Sequence, residues 1–124
     1  MDIHNTTRGT RLAWNARLAV SGRERRRGLT GRAGMEDGEA LVFKRCRQVH
    51  TFGMRFPIDV VFLDSSGRIV RACRGLSPLR VSPLVWCART VIELPAGTLA
   101  RTGSATGDEI EINCAEQPRS SGGR

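Results

Sequence analysis

Residues 58–63, Ile-Asp-Val-Val-Phe-Leu, put apolar side chains on both faces of an extended segment. Ile58, Val60 and Phe62 share one face, while Val61 and Leu63 share the other with Asp59. The pattern predicts a strand buried on both sides, with Asp59 at its mouth. Ser65-Ser66-Gly67 then reads as a turn, and residues 68–74, with Ile69, Val70 and Ala72, as the returning arm of a hairpin. Upstream, Leu12, Trp14, Ala16, Leu18 and Val20 alternate with Arg11, Asn15 and Arg17, which predicts a first strand over residues 11–20. Ser21 and Glu24 have the spacing of a capping box, so a short helix should run to about residue 27. Gly28, Gly31 and Gly34 punctuate a loop carrying Leu29, Arg32 and Met35, followed by a short apolar strand over residues 40–43. Downstream come an irregular connection (76–83, with two prolines), a strand over 86–94 stopped by Pro95, a helical turn within 96–103, and a last strand over 107–114. This count of short strands predicts a mainly β fold, an antiparallel β-sandwich or barrel with one or two short helices. The expected organisation is a lead-in over residues 1–10, one β domain over 11–115, and a disordered tail over 116–124, where Ser, Gly and Arg dominate.

The chain has 124 residues, 40% of them hydrophobic, which suits one core and argues against disorder. No apolar run approaches the roughly 20 residues that span a bilayer, and residues 1–5 lack the core of a secretory signal, so the chain reads as soluble and cytoplasmic, without membrane contact. The net charge of +8 invites nucleic acid as a partner, since neutralising phosphates releases counterions. However, Lys44 is the sole lysine among 20 basic residues, and the arginines are scattered through every segment. Only Arg23, Arg25, Arg26 and Arg27 cluster, and no aromatic interleaves with them to stack bases. Sequence-specific nucleic-acid binding is therefore not expected, and nonspecific binding driven by arginine stands as a third reading.

Cys46, Cys73, Cys87 and Cys114 are too far apart for zinc knuckles. They read as reduced thiols, Cys73 and Cys87 filling small core positions, and neither a metal nor a cofactor is expected.

The candidate site residues are Arg32, His50, Thr51, Asp59 and Glu93. Glu93 interrupts the apolar run Val91-Ile92-Leu94, so like Asp59 it is either at a strand end or buried with a partner. Arg32 could bridge one carboxylate bidentately, Asp59 could instead take backbone amides, and Glu93 could close a turn through amides near Pro95 and Gly97. His50, opening the approach to the strand, could donate to Asp59 or accept a ligand proton.

Several segments together resemble the bacterial and archaeal family catalogued as domain of unknown function 192. Gly28-Leu29 and Gly31-Arg32 look like its paired glycine motifs, Gly38 to Phe43 like its next glycine and apolar run, and Pro57-Ile58-Asp59 like its proline-leucine-aspartate. Glu93 to Gly97 and Gly107-Asp108 look like its later motifs. The resemblance implies a sandwich or jelly-roll-like domain with no established reaction. His50-Thr51 fall, without a gap, where the family's usual form has tryptophan and methionine.

The leading reading is thus a non-enzymatic β domain binding a small ligand or a partner protein in a polar-mouthed pocket between the 28–38 loop and the 50–59 segment. An enzyme of unknown reaction is second, with His50 as acid or base, Asp59 orienting it and Arg32 holding an anion.

Overall fold

The computed structural model describes residues 1–113 except Thr30, Phe52, Gly53 and Leu79; the side chains of Arg23, Arg26 and Arg27 also fall outside it. Cys114 and the expected tail lie outside the described residues.

Among the described residues eight strands form two sheets: β1 (Asp2–Asn5), β2 (Thr10–Ala13), β3 (Asn15–Leu18), β4 (Glu39–Lys44), β5 (Ile58–Leu63), β6 (Ile69–Leu76), β7 (Thr90–Pro95) and β8 (Ile110–Asn113). Two short helices join them, α1 (Gly22–Arg27) and α2 (Thr98–Thr102). The sheet orders are β2-β1-β8 and β3-β4-β7-β5-β6. All pairs are antiparallel except β3 with β4. The fold is a β-sandwich, and the barrel alternative does not occur.

The predicted hairpin forms, with Ile58 opposite Leu76 and Val61 opposite Ala72. Its turn is organised by Asp64, whose Oδ1 accepts from the Ser66 hydroxyl at 2.7 Å and from the amides of Ser66 and Arg68. The capping box also forms: Ser21 Oγ accepts from the Glu24 amide at 3.0 Å, and Glu24 Oε1 accepts from the Ser21 amide at 2.9 Å.

Three expectations are corrected. Residues 2–5, expected within a lead-in, make the central strand of the three-stranded sheet. The expected strand over 11–20 is two strands in different sheets, because the chain turns at Trp14. That turn explains why Leu12 and Ala13 are both buried while Trp14, Leu18 and Val20 are exposed. Trp14 lies against Gly38, which has φ +89° and no room for a Cβ, and the amides of Trp14 and Asn15 both donate to the Gly38 carbonyl. The expected strand over 86–94 starts at Thr90 instead, since Trp86 and Cys87 form an exposed turn, so Cys87 is not a core thiol.

The five-stranded sheet is covered on both faces. Ile3, Leu12, Val42, Val61, Ile92, Leu94, Leu99 and Ile110 fill the space between the sheets. On the outer face, Leu29, Val49, Met54 and Ala88 come from connecting segments to cover Leu41, Phe43, Val60, Phe62 and Val91. This second core positions the candidate site.

Candidate functional site

Cross-strand register decides which candidates can meet. Leu41, Glu93, Val60 and Cys73 form one row across β4, β7, β5 and β6, and Val42, Ile92, Val61 and Ala72 form the next. Opposed residues share a face and successive residues alternate, so Glu93 projects into the outer core. Asp59 stands opposite Leu94 and projects between the sheets. The two carboxylates therefore lie on opposite faces of one sheet.

Asp59 is 1% exposed and forms no ion pair with an arginine among the described residues. Its Oδ1 accepts from the Gly75 amide at 2.9 Å, and its Oδ2 from the amides of Gly97 at 3.2 Å and Leu99 at 2.9 Å. The last two belong to the start of α2, whose N-cap, Gly97, has no side chain to cap with. A strand carboxylate thus supplies the cap that the helix lacks, and the interaction suits the positive end of the peptide dipoles. Arg32 is instead engaged by Glu39, its Nη2 standing 2.9 Å and 3.1 Å from the two carboxylate oxygens. Burial alone would raise the Glu39 carboxyl, but the Glu36 amide and Arg32 together hold it below its ordinary value. The expected Arg32 bridge to Asp59 or Glu93 is therefore not formed.

Thr51 is fully buried and structural. Its Oγ1 donates to the Ser77 carbonyl at 2.6 Å and accepts from the Arg80 amide at 2.8 Å, tying Thr51 to Ser77 and Arg80. His50 is exposed, and its backbone bridges to Val81. Asp59 does not orient it, because the Asp59 side chain is enclosed on the far side of the sheet.

Glu93 is the outlier. It is 3% exposed, and its Oε1 has no hydrogen-bond partner. The expected turn closure through amides near Pro95 does not occur, since Glu93 lies inside β7 and faces away from that turn. Burial pushes its carboxyl up to about 8, and it forms no ion pair among the described residues. It borders a cavity of about 220 Å³ whose lining also includes Arg25, Leu29, Phe43, Cys46, His50 and Met54. The Arg25 guanidinium lies 5.9 Å from the centre of the Phe43 ring and makes a long bond to the Arg45 carbonyl at 3.4 Å. The Cys46 thiol donates to the Gln48 carbonyl at 3.2 Å. His50 and Glu93 thus border one cavity, whereas Arg32 borders a neighbouring one of about 260 Å³ with Arg17, Glu24 and Leu41; Gly28 lines both. Sequence reasoning missed Arg25 and Cys46 as lining residues. The i, i+4 spacing of Cys46 and His50 was the one available signal. Among the described residues no group of three or more His, Cys, Asp or Glu is placed to hold a metal ion, and no helix is long and apolar enough to cross a membrane.

The family model for domain of unknown function 192, described as "Uncharacterized ACR", matches residues 3–112. The chain belongs to this family. Within the domain of unknown function 192, a UPF0127 protein of Thermococcus sibiricus is 36% identical over 69 residues, which are 56% of this chain and 44% of that one. The match therefore spans less than half of that relative's length. Among solved structures, a protein of unknown function from Novosphingobium aromaticivorans superposes with a TM-score of 0.77 at 23% identity, covering 90% of this chain and 82% of the other, which supports the fold alone. A chain from Sinorhizobium meliloti put forward as a transcription regulator superposes with a TM-score of 0.68 at 28% identity, covering 77% and 79%.

Proposed function

We propose that this member of the domain of unknown function 192 binds a small ligand in the cavity between Gly28-Leu29 and Cys46, Gln48, Val49, His50 and Met54, and that it does so without catalysing a reaction. The observation that carries the reading is the unsatisfied Glu93 Oε1 at the cavity wall. A buried polar atom without a partner costs about 1–3 kcal/mol, and a ligand donor would recover that cost on binding. The lining suits such a ligand, with an apolar wall of Leu29, Phe43, Val49 and Met54 and polar groups from Arg25, Gln48 and His50. Screening by chemical-shift perturbation against wild type, His50→Ala and Glu93→Gln tests it. The expected hits shift the amides of Gly28, Val49 and Met54 and weaken in both variants. Hits that map to the three-stranded sheet and ignore both substitutions would sink the assignment.

A second reading, nonspecific nucleic-acid binding, is favoured by the net charge of +8 and by an open groove bordered by Arg25, Lys44 and Arg45. The description of the Sinorhizobium meliloti chain points the same way. Binding of this kind would be sequence-independent and would vanish by about 0.2 M salt.

A further inference from the structure

Resting on the ligand-binding reading, we propose that the cavity takes a small zwitterion of roughly nine heavy atoms, its ammonium on Glu93, its carboxylate on Arg25 and its apolar body against Leu29, Phe43 and Met54. An apolar α-amino acid is the simplest molecule of this description.

The size follows from the volume: a cavity of about 150 Å³ holds a benzene ring, so 220 Å³ takes about half as much again. The ammonium follows from how this chain treats its other carboxylates. Asp2, Glu39, Asp108 and Glu109 each pair with an arginine, namely Arg11, Arg32, Arg8 and Arg68. Asp59, Asp64 and Glu24 accept backbone amides. In a protein with 20 basic residues, Glu93 is left with an unpartnered buried oxygen. A permanent structural role there is met equally well by an uncharged side chain, whereas a carboxyl gains most from a partner that brings its own positive charge.

The carboxylate follows from the other polar groups. Among the described residues Arg25 makes one long hydrogen bond, to the Arg45 carbonyl, and lies over Phe43, and its guanidinium offers five donors in a fork that matches a carboxylate. With Lys44 and Arg45 beside it in the adjoining groove, a simple cation would be repelled, while a zwitterion presents an anion to that side. The titratable groups facing the site are Arg25 from α1 and Cys46 and His50 from the segment after β4; Glu24, Arg17 and Arg32 border the neighbouring cavity behind Gly28.

Pairing has a proton balance. A protonated Glu93 that receives a ligand ammonium gives its proton to solvent, so the complex forms with one carboxylate, one ammonium and one released proton. Isothermal titration of the whole chain with L-leucine, in buffers of different ionisation enthalpy, reads this directly. With the free carboxyl at about 8, release should be about 0.9 proton per leucine at pH 7 and about 0.5 at pH 8, where the leucine amine is still almost wholly ammonium. Glu93→Gln should abolish the release and weaken leucine at least tenfold; Arg25→Leu should weaken leucine at least tenfold and leave leucinamide unchanged. His50→Gln should keep the proton count, which excludes the imidazole as the source. Isoamyl alcohol and 4-methylvalerate are the neutral and anionic probes. If either binds at Glu93 as tightly as leucine, or if leucine binds without proton release, the ammonium assignment is overturned while ligand binding stands. If no probe binds, the ligand-binding reading itself falls.

Discussion

Replacing Glu93 by Gln should favour the folded protein more at neutral pH than in acid. In the folded chain burial raises this carboxyl from 4.5 to about 8, so between those values the native state holds a proton that the unfolded state has lost. Stability therefore falls as pH rises through this window and levels off above about pH 8. At pH 7 the folded state has spent about two and a half pH units of protonation work at about 1.4 kcal/mol each, or about 3 kcal/mol. Glutamine has no proton to take up, so the advantage of Glu93→Gln over wild type should grow by about 3 kcal/mol between pH 4.5 and pH 7. In a chain of this length that corresponds to about 10 °C in melting temperature. The amide's own unsatisfied donors add an offset that does not depend on pH. Urea unfolding of both proteins at half-unit steps from pH 4 to 9 measures the difference, with equal m-values as the check on two-state behaviour. A stability difference that stays flat across this range would refute the claim that Glu93 is buried without a charged partner.

Asp59→Ala should lower stability by about 3 kcal/mol or more, because it orphans the amides of Gly75, Gly97 and Leu99, and amide exchange should show α2 opening first; unchanged exchange in residues 97–102 would contradict the capping role. Gly38→Ala should cost about 2 kcal/mol or more, since it forces a side chain into both a left-handed backbone and the Trp14 ring, and denaturant unfolding checks it. Thr51→Val should cost about 1–2 kcal/mol and raise exchange at Arg80, whose amide loses its acceptor. Below about pH 4 stability should fall instead of rise: burial tends to raise the Asp108 carboxyl, but Arg8, Asn5 and the Ala105 amide hold it below its ordinary value, and protonating it loses those bonds. An acid limb missing from the pH titration would count against that network.

The hairpin and the capping box were legible because each is encoded by neighbours in sequence: two apolar runs around a Ser-Ser-Gly turn, and a Ser three residues before a Glu. Asp59 was legible as a buried carboxylate in need of donors, yet its donors were not, since they are amides of Gly75, Gly97 and Leu99 and an amide leaves no mark in a residue pattern. The separation of Asp59 from Glu93 is a matter of register between β5 and β7, where a shift of one residue would have put both on the same face. Arg11 to Val20 misled for a related reason. Perfect alternation describes a strand that stays in one sheet, and here the chain changes sheet at Trp14, a corner set by Gly38, which is 24 residues away. β1 escaped notice because Asp2, His4 and Asn5 leave Ile3 as its one strongly apolar member.

The pairing of β1 with β8 joins Ile3 to Ile112 across nearly the whole chain. Such a contact cannot form until residues 110–113 exist, and closing so long a loop is entropically slow. The five-stranded sheet, built between residues 15 and 95, has no such constraint. Folding should accordingly run in two stages, with the inner surface of Val42, Val61 and Ile92 exposed until the three-stranded sheet closes over it. During that interval the molecule presents an apolar face with two open strand edges, so its window for aggregation is set by how quickly its two ends find each other. Pulse-labelled amide exchange should protect Val91 and Ile92 before Ile3 and His4.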